Sequence, residues 1–208
     1  MPPSTMPPST MEVAVRPVAT PAERGAAGAI AGRALSDNPT SRWVYGDDVL
    51  TRVSASLDLF VGFVDGMPDP QLAAFLGRHV VGIAAASAPG ACIGHVTPDD
   101  LRTMPAEIGG PGDPSRAQSV WALYSGHDLD ERHWHVGPVS VEPVLQGHGV
   151  GARMMDALNE RLDADGEVAW LETDKPGNVV FYRRAGYVVV EEVDHHGVTE
   201  WFMRRDPR

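Results

Sequence analysis

The segment that most restricts this chain lies late in it, where a strand-like run, His133–Val141, passes through Glu142, Pro143, Val144 and Leu145 into Gln146-Gly147-His148-Gly149-Val150-Gly151. Past the glycines, Val150, Met154, Met155, Leu158 and Leu162 recur at steps of three and four. This spacing predicts a helix to about Asp163, with Gly166 placed to end it. The order strand, glycine loop, helix has a chemical use. Gly147, Gly149 and Gly151 have no Cβ to block close approach, and a helix start offers unpaired N–H groups with about half a positive charge. Such a loop can hold a pyrophosphate without any basic residue. Dinucleotide folds use a similar turn after their first strand, whereas this one follows several strands, which disfavours a Rossmann oxidoreductase.

The upstream chain supplies those strands. Residues 1–10 repeat MPPST twice, and their four prolines exclude regular helix or sheet, so a disordered tail is expected, with Met11 as an alternative start of the folded unit 11–208. Val13 and Val15 alternate with polar neighbours as a first strand would. Thr20, Pro21 and Glu23 set an N-cap, a first-turn proline and a capping-box acid ahead of an alanine-rich helix to about Leu35. Asn38 to Asp47 reads as a loop carrying Trp43 and Tyr45. Val49, Leu50, Val53, Leu57, Phe60, Val61 and Val64 then mark one apolar helical face, read as core, ending near Gly66. Leu72 to Phe75 and His79 to Ala85 suit a hairpin turning at Gly77 and Arg78.

From Ser87 to Arg132 the pattern loosens. The stretch is too long for an ordinary connection, so residues 87–132 are expected to be an insertion that covers or lines a site. Thr97-Pro98 and Asp113-Pro114 look like helix starts, and Ala117, Val120, Trp121 and Tyr124 would share a face of the second helix.

The single cysteine, Cys92, excludes an internal disulfide and any all-thiolate zinc site, and it is expected to be inert. No apolar run approaches the roughly 18 to 20 residues needed to cross a bilayer, so a cytoplasmic protein is expected. A net charge of −11 argues against nucleic acid, whose binding draws on Lys and Arg, and favours cationic small molecules.

Gln146, Gly149 and Gly151, led by Val141–Pro143, resemble the coenzyme A loop of the GNAT acetyltransferases. Trp170 to Thr173 followed by Asn178, Phe181, Tyr182, Gly186 and Tyr187 resembles the family's next strand and helix, with Tyr187 where Phe is commoner. Within the family, Leu171–Thr173, Asn178–Tyr182 and Trp201–Met203 are most similar to the puromycin N-acetyltransferase branch. The likeness is dense only after His133.

The resemblance implies an α/β (α+β) fold, with a mixed, mostly antiparallel sheet of six to seven strands flanked by helices and a splayed central strand pair at the coenzyme site. It implies acetyl-CoA as co-substrate, no metal, a small amine acceptor, and a monomer or homodimer. Val139, Ser140 and Val141 would pair with pantetheine and the thioester. Gln146, Gly147, His148, Gly149, Val150, Gly151 and Ala152 would hold the pyrophosphate, and Asn178 would contact the coenzyme arm. Tyr182 matches the tyrosine that protonates the departing thiolate, and its ordinary pKa of about 10 keeps the proton on at neutral pH. Glu172 ranks first as the base that frees the amine, with His135 second and His133 on the same strand face.

Other readings compete. His133 and His135 with His195 and His196 could suggest a metal site, but no carboxylate or cysteine has matching spacing, and His195-His196-Gly197 also suits a hairpin turn between Val188–Val193 and Val198–Met203. The rival class is a non-catalytic acyl-CoA sensor of the same shape. The sequence leaves the acceptor open, from an aminonucleoside or other antibiotic to a polyamine, an amino acid or a protein N-terminus.

Overall fold

A computed structural model describes residues 12–68, 71–91 and 114–208. The expected tail, Cys92 and the Thr97-Pro98 helix start lie outside the described residues. Seven strands form one sheet in the order β1-β2-β3-β4-β5-β7-β6: β1 Val13–Pro17, β2 Gln71–Leu76, β3 His79–Ser87, β4 His133–Val141, β5 Val168–Thr173, β6 Val188–His195 and β7 Val198–Arg205. Every neighbouring pair is antiparallel except β4 and β5. That parallel pair is short, running from His133↔Val168 to His135↔Trp170. Beyond His135, β4 stays with β3 alone, through Ala84↔Val139, Ile83↔Ser140 and Gly82↔Val141. The central pair is therefore splayed, as the resemblance implied.

The helices are α1 Pro21–Leu35, α2 Pro39–Tyr45, α3 Val49–Gly66, α4 Pro114–Gly126, α5 Val150–Asp163 and α6 Pro176–Arg184. On one face of the sheet, α5 buries Val150, Met154, Met155, Leu158 and Leu162 against Leu72, Ala74, Ala84 and Val141. These are the residues its periodicity selects. On the other face, α1 and α3 close over Ile83 and Ala85 through Ala27, Ala31 and Val64. Thr20 Oγ1 accepts from Glu23 N, and Glu23 Oε2 accepts in turn from Ala19 N, so the capping signal at α1 is realised.

Two expectations fail here. Asn38 to Asp47 is not a loop, because Pro39 opens α2 and Gly46, at φ 83°, ends it. Asn38 gives α2 no side-chain cap; its amide donates to Asp174 Oδ1 instead (3.0 Å). Nor is the apolar stripe of α3 uniformly core, since Val49 and Leu50 are 58% and 81% exposed while Arg52, Ala55, Ser56 and Val64 are buried. The close contact with α1 lies further along, at Ser56–Val61. A Cβ on Gly28 would lie 2.7 Å from Val61 Cα, and one on Gly32 would lie 2.8 Å from Leu57 Cα, so α1 meets α3 backbone to backbone and favours small residues at the seam.

The buried Arg52 guanidinium ties these pieces together. It donates to Ser36 O, Gly46 O, Asp47 O and Asp37 Oδ1, bracketing both ends of α2. In turn α2 packs Val44 and Tyr45 against Ala55 of α3 and Ala117 and Val120 of α4. The face expected of α4 is thus the face it buries. No helix of the described residues is long and apolar enough to cross a membrane.

Candidate active site

A cavity of about 730 Å³ opens where β4 and β5 part. Its sheet side consists of His135 to Val139 from β4 and Glu172, Thr173 and Asp174 at the end of β5, and α6 contributes Asn178 and Tyr182. The opposite walls are Val44 and Tyr45 of α2, Leu59 and Phe63 of α3, and Ala117, Val120, Trp121 and Tyr124 of α4. Chain separations of more than a hundred residues close here, because the sheet order sets β4 beside β5 while α2 and α4 cross above them.

Tyr182, Glu172, His135, Val139 and Asn178, all selected from sequence, line this one cavity. Ser140 and Val141 are buried in β4 outside the lining, where Val141 packs in the main core. Gln146 to Ala152 also lie outside it, in the turn after β4 and the first turn of α5. In that turn Gln146 Nε2 donates to Val141 O (3.2 Å) and His148 Nδ1 donates to Gln146 O (3.0 Å), so both side chains brace the loop.

The glycines divide their roles. Gly147 and Gly149 have φ of 79° and 80°, a conformation that disfavours side chains, and a Cβ on either would meet open space. Gly149 is the N-cap of α5 and leaves its first N–H groups without a side-chain partner. A helix start of this kind is chemically suited to an anionic group such as a diphosphate. Gly151 instead makes room for a ring, since its Cβ would sit 3.3 Å from Phe181 Cζ.

His135 Nε2 donates to Glu172 Oε2 at 2.8 Å, which joins the two base candidates into one unit. Asp128, which the sequence did not single out, stands behind them. Its Oδ1 lies 2.9 Å from His133 Nε2 and 3.4 Å from His135 Nδ1, while His133 Nδ1 donates to Glu131 O. Among the described residues, Asp128, His133 and His135 form the one cluster whose atoms lie close enough to hold a metal ion, and neither His195 nor His196 belongs to it. The expectation that no carboxylate accompanies the strand histidines is therefore corrected: Asp128 reaches them through the fold. His195 and His196 sit at the β6–β7 turn as expected, His195 beside Ser119 and His196 stacked on Trp43 at 4.7 Å.

Two further acids were missed. Asp174 accepts from Asn38 Nδ2 (3.0 Å) and Thr40 N (2.9 Å). Glu200, fully buried on β7, accepts from Thr40 Oγ1 (2.5 Å) and Tyr124 OH (3.3 Å). Burial chiefly, then the nearby Asp174 and Glu172 charges against an opposing hydrogen bond from Thr40, raises the Glu200 carboxyl to about 8. Burial is also the main cause that pushes Tyr182 upward, with Tyr187, Glu172 and Asp174 adding to it, so its phenol keeps its proton at neutral pH. For Glu200 the sequence marked only a hairpin strand, Val198–Met203, without saying what the carboxyl would face, and for Asp174 it gave no signal.

Residues 117–189, from α4 through the glycine loop to the start of β6, match the model of the acetyltransferase (GNAT) domain. Solved structures with the same fold include a histone acetyltransferase HPA2 and related acetyltransferase from Corynebacterium glutamicum (18% identity, 95% of this chain and 98% of that one, TM-score 0.70). The polyamine N-acetyltransferase of Drosophila melanogaster is similar at 15% identity, 94% and 100% coverage and TM-score 0.66. So is yncA from Salmonella typhimurium, a putative acetyltransferase solved with its cofactor acetyl-CoA (14%, 94% of each chain, TM-score 0.55). These likenesses show the fold that this chain shares with GNAT acetyltransferases, and the stretch that matches the family's domain model holds the glycine loop with α5 and α6.

Proposed function

We propose that the protein transfers the acetyl group of acetyl-CoA to the primary amine of a small molecule, with Tyr182 as general acid and Glu172, held by His135, as general base. The observation that carries this reading is the convergence of Tyr182, Glu172 and His135 on one cavity at the parting of β4 and β5. The amides from Gly147 to Ala152 would hold the diphosphate, Asn178 and the β4 backbone from Val139 to Val141 the pantetheine arm.

An alkyl ammonium with a pKa near 10 must lose a proton before it attacks, at a cost of about 4 kcal/mol at pH 7, and Glu172 receives that proton directly or through a water. The amine nitrogen then bonds to the thioester carbon. As the adduct collapses, the carbon–sulfur bond breaks and the sulfur takes its proton from the Tyr182 hydroxyl, which is refilled by the proton released from the nitrogen. The sum is one amide, one thiol and one proton, and it requires no metal.

The acceptor belongs to the same proposal: a small cationic amine of the aminonucleoside or antibiotic kind, in keeping with the puromycin-like motifs. The Drosophila relative, which forms N-acetylagmatine, supports an amine acceptor more generally. We read residues 11–208 as one domain in which 87–132 is an insertion lining the acceptor site, acting in the cytoplasm as a monomer or homodimer without nucleic acid or membrane. Thiol release from acetyl-CoA, matched mole for mole by N-acetylated amine in mass spectrometry, is the expected result with the purified protein. Binding of acetyl-CoA with no product from any amine would refute it.

A further inference from the structure

We infer that Asp174 is a positioning residue for the acceptor: from the end of β5 its carboxylate holds α2, one wall of the cavity, by that helix's first N–H, and so sets the room beside Glu172. The inference rests on the acetyl-transfer reading above and deepens it.

Three successive residues at the end of β5 serve three different walls. Glu172 meets His135 of β4 at 2.8 Å. Thr173 Oγ1 accepts from Asn178 Nδ2 of α6 at 3.0 Å. Asp174 reaches the third wall, accepting from Asn38 Nδ2 at 3.0 Å and from Thr40 N at 2.9 Å. Glu172 and Thr173 are fixed by pairing with Phe202 and Trp201 of β7, so Asp174 follows directly on a rigid strand, and it is itself buried.

The sequence of α2 explains why it needs an acceptor from outside. Pro39 at the start of the helix has no N–H, so Thr40 carries the first one, and Asn38, which would ordinarily accept in this region, makes no side-chain cap. Asp174 takes over that role from 134 residues away. At the far end Arg52 donates to Gly46 O and Asp47 O, so α2 is held at both ends, and between them Thr40, Ser41, Val44 and Tyr45 line the cavity. Glu200 accepts from the Thr40 hydroxyl and fixes that side chain, whereas Asp174 fixes the backbone. Without the Asp174 carboxylate the Thr40 N–H and the Asn38 amide lose this partner in a half-buried place. The start of α2 then loosens, and an acceptor must order the wall as it binds, which raises its KM.

The test compares Asp174→Ala with Asp174→Asn, which lacks the charge but can still accept from Thr40 N and, with the Asn38 amide turned over, donate to its oxygen. For a primary amine that the wild type acetylates, Asp174→Ala is expected to raise KM at least about tenfold, with kcat changed less than about threefold and the Kd for acetyl-CoA preserved. Asp174→Asn is expected to stay within about threefold of wild type, and Asn38→Ala, which removes one bond and no charge, to raise KM about two- to fivefold. Hydrogen exchange over residues 39–45, read by mass spectrometry, is expected to quicken in Asp174→Ala and not in Asp174→Asn. An Asp174→Asn variant as impaired as Asp174→Ala makes the carboxylate a counter-charge for the acceptor and overturns the positioning role, as does a wild-type KM in Asp174→Ala. Should Asp174→Ala fail to fold, a wild-type KM in Asn38→Ala overturns it. Absence of product from every amine with the wild-type protein overturns the acetyl-transfer reading and the acceptor role with it, a result told apart because the exchange measurement needs no turnover.

Discussion

His135 and Glu172 meet at 2.8 Å just where β4 and β5 cease to pair, so the imidazole that ends the parallel ladder orients the carboxylate that faces the cavity. If Glu172 removes the amine proton, Glu172→Gln lowers kcat/KM for the amine by about 10²-fold at pH 7 and leaves acetyl-CoA affinity unchanged. The loss shrinks as pH rises toward the amine's own pKa, since free amine then no longer needs the base. A deficit that stays constant from pH 7 to 10 would remove Glu172 from this role.

Tyr182→Phe keeps the ring packing beside Phe181 and Tyr187 and removes only the hydroxyl. Turnover is expected to fall at least about tenfold, with the Kd for acetyl-CoA preserved, because the proton is needed only after binding. Steady-state kinetics beside calorimetry separates the two quantities, and unchanged turnover would contradict the assignment.

Glu200 links stability to pH. Its carboxyl titrates near 4.5 when unfolded and near 8 when buried, so between these values the folded chain holds a proton that the unfolded chain lacks. The contribution is fully present below about 4.5 and is lost as pH rises through about 8, by up to about 1.4 kcal/mol per pH unit. Glu200→Gln, neutral at every pH, is expected to flatten this decline, so that thermal melts from pH 6 to 9 show the variant losing about 1–3 kcal/mol less than wild type. Parallel curves would contradict a buried neutral Glu200.

Much of this architecture was readable in advance where a signal is local. The apolar period of α5, the strand-like run of β4 and the glycine turn each lie within about fifteen residues, and each element formed where its pattern placed it. The failures are long-range. The α1 glycines Gly28 and Gly32 meet α3 at Ser56–Val61, a contact that no pattern within α3 encodes, and Leu50 stays exposed near its start. Asn38-Pro39 and Gly46 bounded α2 plainly enough, yet seven residues between them gave no period to weigh. Asp174 and Glu200 acquire meaning only through partners on other elements, 136 residues away between Asn38 and Asp174, and no spacing in the chain announces that.

The glycine loop offers a paired contrast. Gly149→Val places a branched side chain at φ 80°, in the open space where phosphate oxygens would approach, and is expected to weaken acetyl-CoA binding at least about tenfold. Gly151→Val meets the Phe181 ring and is expected to cost about 1–3 kcal/mol of stability. Calorimetry and melting curves on both variants check the division, which fails if Gly149→Val binds as wild type does or Gly151→Val melts as wild type does.

The most direct measurement is calorimetric titration of the purified protein with acetyl-CoA. Saturable binding of one equivalent per chain, weakened in Gly149→Val and preserved in Tyr182→Phe, is the predicted result. No detectable binding of acetyl-CoA, even at millimolar concentration, would contradict the claim that the parting of β4 and β5 and the loop beside it form a thioester site.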